Sequence, residues 1–122
     1  MRILYVEPDE YYHHYFQNFF GDRVSLRFAP DAAAAGAMLR EERPDVMMME
    51  LLLPDLSGYE FLKDIFPKWQ ERPFPIIIYS QIEHPQDVAA SLGIGIAGYF
   101  IKGKDHPREL EKSIFSLNFS RA

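Results

Sequence analysis

Val46-Met47-Met48-Met49 is apolar at four consecutive positions, with no polar alternation. A strand of that pattern needs cover on both faces, which points to the interior of a parallel sheet. Glu50 stands where the run ceases to be strand. Pro54 and Gly58 mark a tight loop, and Ser57 is placed to cap the helix that follows. A lone carboxylate at the C-terminal end of a central parallel strand sits where α/β sheets put their chemistry.

The rest of the chain repeats the same alternation. Ile3 to Val6 predicts a first strand, and Asp9 caps a helix whose stripe is Tyr12, Phe16, Phe19 and Phe20, closed by Gly21. Val24, Leu26 and Phe28 alternate with Ser25 and Arg27, the pattern of a strand with one wet face, as at a sheet edge. Asp31 caps a helix of small side chains from Ala32 to Leu39, and Pro44 stops it. The third helix runs from about Ser57 to Phe66 on Tyr59, Leu62, Ile65 and Phe66, and Pro67 ends it. Lys68 to Pro75 reads as a loop with Trp69 and Phe74 folded back. Ile76 to Tyr79 is a fourth apolar strand, followed by a helix from Pro85 to Leu92 that Gly93 and Gly95 close. Ala97 to Ile101 is the fifth strand. Pro107 opens a last helix on Leu110, Ile114, Phe115 and Leu117, reaching about Asn118. Strict β-α alternation predicts right-handed crossovers and an α/β fold: a five-stranded parallel sheet, order 2-1-3-4-5, with helices on both faces.

With 122 residues the chain is expected to form a single domain over 1–122 and to bury roughly two-thirds of its unfolded surface. A net charge of -5 argues against a nucleic-acid partner. No stretch approaches the ~20 apolar residues of a membrane span, and no signal-peptide pattern precedes Arg2 to Val6, so the expectation is a cytoplasmic protein. The absence of cysteine excludes disulfides, thiolate metal sites and thiol catalysis.

Glu7, Glu50, Ser80 and Lys102 each follow a strand directly. In a parallel sheet all four strand ends share one rim. The order 2-1-3-4-5 puts Glu7 beside Glu50 at the switch point, with Ser80 and Lys102 on the far side of Glu50. The chain here resembles the receiver domain of two-component response regulators over essentially its whole length. The residues that carry the resemblance are Ile3 to Glu7; Pro44 to Met49 with Leu53-Pro54 and Gly58; Pro75 to Ser80; and Gly95 with Gly98 to Lys102. The resemblance implies a flavodoxin-like fold in a two-component phosphorelay. It implies an aspartate after strand three that accepts a phosphoryl group from a histidine kinase, and Mg²⁺ held by acidic residues after strand one. A Thr or Ser and a Lys would bind the phosphoryl oxygens. A switch aromatic, matched by Tyr99, would respond to them.

The chain departs from that pattern at the decisive positions. Glu50 stands at the phosphoacceptor position, and Pro8, with no side-chain oxygen, at the second acidic position of the pocket that begins with Glu7. Gln81 follows Ser80 and Gly103 follows Lys102, where the family has a small residue and a proline. Glu7 alone is a thin candidate metal ligand, so Mg²⁺ binding is expected to be weak or absent and no other cofactor is implied. An ion pair between Glu50 and Lys102 is expected, with Ser80 bonded to the carboxylate. The reading is a pseudo-receiver with no catalytic residue, a signalling module rather than an enzyme. It would bind a protein, a histidine kinase or an output protein, through the face of the fourth helix, fifth strand and fifth helix, as a monomer or weak homodimer away from membranes. Two alternatives stay open. Asp55 or Asp9 could serve as a displaced phosphoacceptor. The rim could instead be the pocket of a small α/β ligand-binding protein or enzyme with Glu50 or Glu7 as general base.

The remaining candidates read as structure. His13 and His14 are adjacent on a helix, splayed about 100° apart, and read as surface residues, not a metal pair. His84 and His106 precede prolines at helix starts. Met47 to Met49 are core, and Gly93, Gly95 and Gly98 fit no phosphate loop.

Overall fold

The computed structural model describes residues 1–66, 74–83 and 96–120. The expected fourth helix from Pro85 to Leu92, with His84, Gly93 and Gly95, lies outside the described residues, as do Pro67 and Trp69. Strands β1 (Arg2–Val6), β2 (Ser25–Ala29), β3 (Val46–Met49), β4 (Ile76–Ser80) and β5 (Gly98–Ile101) form one sheet in the order β2-β1-β3-β4-β5. Every pairing is parallel, with Val6 opposite Met49 and Ser80 opposite Ile101. The C-terminal ends of the four inner and edge strands β1, β3, β4 and β5 therefore meet on one rim.

The sheet has an apolar layer on each face. Leu4, Val6, Met47, Met49, Ile76 and Ile78 point to one side, against helices α2 (Ala32–Glu41) and α3 (Gly58–Ile65). Ile3, Tyr5, Val46, Met48, Ile77 and Tyr79 point to the other, against α1 (Glu10–Phe20) and the C-terminal helix (Pro107–Ser120). Alternate β3 residues thus serve different cores, which is why that strand tolerates no polar position. Each fully buried methionine contributes about 1.5–3 kcal/mol by leaving water, an upper figure. The exposed and half-buried alternation of β2 fits its place at the edge.

Side-chain caps set the helix starts. The Asp9, Asp31 and Ser57 side chains accept from Tyr11 N, Ala34 N and Glu60 N. Gly21 closes α1 with φ +55° and opens a short 3-10 turn, Gly21–Arg23, that the apolar pattern did not signal. On α3, Phe61 is buried beside Leu62 and Ile65, whereas the expected stripe of Tyr59, Leu62, Ile65 and Phe66 omits it and leaves Tyr59 and Phe66 half-buried. Phe74 is folded into the core, as expected.

Candidate functional site

Among the described residues, the buried polar or charged side chains are Glu7, Glu50 and Ser80, and all three lie on the C-terminal rim. Buried polar groups are costly unless paired, so their partners define the site. Glu50 is 2% exposed, and Oε2 of its carboxylate accepts from Leu51 N at 2.6 Å, from Leu52 N at 3.0 Å and from the Ser80 hydroxyl. The other oxygen, Oε1, makes no well-angled hydrogen bond, but Lys102 Nζ stands 2.9 Å away, so their contact is an ion pair. The loop turns immediately after Glu50 and aims two backbone N–H groups at its carboxylate. Gly58 makes that turn possible: its N–H donates to Leu51 O, and a Cβ at Gly58 would lie 2.8 Å from Leu51 Cα.

Lys102 also reaches Glu7 Oε1, at 2.6 Å. This corrects the expected arrangement. Lys102 does not sit on the far side of Glu50; its ammonium stands between Glu50 and Glu7 and contacts both. The flexible four-carbon lysine stem spans β4 and delivers the charge to the β1–β3 switch point. The same ammonium lies 4.2 Å from the centroid of the Tyr12 ring and 6.0 Å from that of Tyr79. Glu7 accepts further from Tyr5 OH at 3.1 Å and Asp9 N at 3.1 Å. Above these groups is a cleft of about 390 Å³ lined by Pro8, Asp9, Leu52, Gln81 and Gly103 together with the charged residues.

A chain of bonds leads away from Glu50. The Ser80 hydroxyl that donates to Glu50 also accepts from Ile82 N at 3.2 Å, and Tyr99 OH donates to Ile82 O at 2.7 Å. Tyr99 is half-buried against the α2–α3 side of the core.

The model of the family described as the response regulator receiver domain matches residues 3–115. This chain belongs to that family. Among curated relatives, the two-component response regulator PhoP of Pseudomonas aeruginosa is 28% identical over 103 residues, covering 84% of this chain and 45% of its own length. The two-component response regulator ORR2 of Oryza sativa is 28% identical over 82 residues, 67% of this chain and 32% of that protein. The chain therefore spans less than half the length of either. Among solved structures, the receiver domain of the Francisella response regulator 1452 superposes with a TM-score of 0.85 at 22% identity, covering 99% of this chain and 98% of that one. The activated receiver domain of Klebsiella pneumoniae RstA gives 0.80 at 20% identity, covering 96% and 98%. These two likenesses show the fold alone.

The electrostatics of this receiver's rim follow from the pairing. Burial by itself would raise the Glu50 pKa, but the bonds from Ser80, Lys102 and Leu52 N outweigh it and hold the carboxyl below its ordinary value. Burial would lower Lys102, and Glu7 and Glu50 outweigh it in turn, so the ammonium is held above its ordinary value. Burial and then the Glu7 charge raise the Tyr5 phenol, and burial pushes Tyr79 and Tyr99 up to about 12. All of these groups keep one charge state across the neutral range.

The two aspartates considered as displaced acceptors are held elsewhere. Asp55 accepts from Ala32 N and Ala33 N, each at 3.0 Å, and so ties the β3–α3 loop to the start of α2. Asp9 caps α1. His14 is exposed, but His13 is a correction: it is half-buried, stacked 4.5 Å from Phe28, with Nε2 2.6 Å from Glu7 O. Sequence reasoning also missed Tyr5 and Tyr12 at the site. Tyr5, on the apolar run of β1, had the one available signal, a hydroxyl two residues before Glu7 and on the same face.

Proposed function

We propose that this receiver is a phosphorylation-independent signalling module, in which Glu50 stands in the phosphoacceptor's place and holds Ser80 and Lys102 in one arrangement. The observation that carries the reading is the Glu50 carboxylate, with Leu51 N, Leu52 N, Ser80 and Lys102 gathered on it. The resemblance gives Ser80 and Lys102 to the phosphoryl oxygens, and here both are already engaged. Glu50 supplies one negative charge where a phosphoryl group supplies about 1.5 to 2. Residues 1–122 act as one unit that presents a fixed surface to a protein partner, a kinase or an output protein, with no turnover. The face suggested by the resemblance includes β5 and the C-terminal helix.

The Mg²⁺ that the family implies does not fit these residues. Pro8 brings no side-chain oxygen, Asp9 is committed to its cap, and the Lys102 ammonium lies against the two carboxylates that remain. Mg²⁺ needs near-octahedral oxygen ligands at about 2.0–2.1 Å, and one ammonium already fills the space between Glu7 and Glu50.

Acetyl phosphate with Mg²⁺, followed by intact-mass measurement, tests the proposal. The mass should not change. A stoichiometric gain of one phosphoryl group would sink it.

A further inference from the structure

We infer that the Lys102 ammonium is the tethered, permanent cation of this rim, enclosed on three sides by Glu7, Glu50 and the face of Tyr12, and that it excludes divalent metal. The inference rests on the reading of Glu50 above and adds what keeps the two buried carboxylates together. Glu7 is 1% exposed and Glu50 2%, so neither can be left to water for compensation. They share one cation, whose side chain is itself 10% exposed. Three groups surround the ammonium: Glu7 Oε1 at 2.6 Å and Glu50 Oε1 at 2.9 Å as ion pairs, and the face of the Tyr12 ring with its centroid at 4.2 Å.

The local backbone serves this placement. Lys102 N donates to Ser80 O and so continues the β4–β5 pairing up to the rim. Gly103, at φ +82°, then turns the chain sharply, and Lys104 N and Asp105 N return to Ile101 O. Asp105 also accepts from Ile101 N at 2.6 Å. These bonds fix the backbone from which the lysine stem leaves, and the stem lies across β4 to reach both carboxylates. Tyr12 comes from α1, whose start Asp9 caps while its N–H donates to Glu7. Tyr12 is a positioning residue: its ring face lies against the ammonium, and it packs edge-on against Tyr79 at 5.9 Å. Pro8 removes a metal ligand, and Tyr12, which lines the cleft beside the carboxylates, lays its ring against the ammonium that takes the metal's place.

The test begins with the unaltered protein. In ¹⁵N-resolved spectra near neutral pH, surface lysine ammonium protons exchange with water too fast to be seen, and exposed Lys104 should behave so. The Lys102 ammonium should give a persistent signal. Millimolar Mn²⁺ should leave the Glu7 and Glu50 amide signals unbroadened. In Tyr12→Leu the Lys102 signal should exchange about tenfold faster, in keeping with loss of a partly buried cation–π contact. Lys102→Ala should melt at lower temperature and recover with methylammonium in a saturable way. Tetramethylammonium at equal ionic strength, which has no N–H, should not restore it. The same variant should gain Mn²⁺ broadening at Glu7 and Glu50. If Lys102→Ala does not fold, the first two measurements and Tyr12→Leu still decide. A Lys102 ammonium exchanging as fast as that of Lys104, or Mn²⁺ broadening at the rim of the unaltered protein, overturns the inference. Mn²⁺ broadening without phosphoryl uptake overturns this inference alone. Phosphoryl uptake with a protected Lys102 signal overturns only phosphorylation independence.

Discussion

Glu50 keeps its charge in a buried place because two backbone N–H groups, a hydroxyl and an ammonium converge on it. Replacing it with Gln leaves Lys102 buried with Glu7 as its remaining carboxylate. Glu50→Gln should lose about 3 kcal/mol in urea unfolding, the low end for breaking a buried pair, because Glu7 still holds the ammonium. The pH dependence follows from the same shifts. The Glu50 pKa is lowered by folding, so its contribution is present above the ordinary value of 4.5 and is lost as pH falls through the lowered one. The Lys102 pKa is raised, so its contribution is complete below 10.5 and is lost as pH rises through the raised one. Urea midpoints against pH should show a plateau between these limbs, and Glu50→Gln should flatten the acid limb. Glu50→Asp shortens the side chain but leaves Pro8 and Lys102 in place, so acetyl phosphate with Mg²⁺ should still add no phosphoryl mass.

At the scale of elements, the β3–α3 loop is the piece that shapes the site. It is held at one end by Gly58 against Leu51 and in the middle by Asp55 against the start of α2. Gly58→Ala forces a backbone shift, since its Cβ would meet Leu51 Cα at 2.8 Å. Thermal and urea unfolding should show a loss of about 1–3 kcal/mol, the cost of overpacking. Asp55→Ala frees the N–H groups of Ala32 and Ala33, and their amides should exchange faster with deuterated water while the β3 amides keep their protection. The order of elements was legible in the sequence because both periods were strong: strand runs of period two or wholly apolar, and helical stripes opened by Asp9, Asp31 and Ser57. Phe61 was missed because α3 turns a wider apolar arc inward than the narrow stripe suggested, as it packs under both β3 and α2.

Across the whole molecule, the rim couples the two cores of the sheet. Ser80 follows Ile76 and Ile78 in alternation and so shares the α2–α3 side with Tyr99, whereas Tyr12 belongs to the α1 side. Through Ser80 and Ile82, Glu50 is bonded to the turn that holds Tyr99. If Lys102 supplies the cation from within, added Mg²⁺ has no site that distinguishes the folded from the unfolded chain. The urea midpoint of the unaltered protein should then be the same in millimolar Mg²⁺ as in a chelator, since a ligand stabilises only by binding the folded state.

By itself the sequence determined the β-α order, the parallel sheet and the rim where the polar residues meet. These follow from periodicity, caps and strand ends, which are local or fixed by topology. Only the tertiary structure decided that Lys102 reaches past Glu50 to Glu7, that Tyr5 bonds Glu7 and that Tyr12 covers the ammonium. Periodicity says which face of an element a side chain leaves from. How far a flexible lysine reaches across a strand, and which ring of a neighbouring helix it meets, depends on distances that only packing sets.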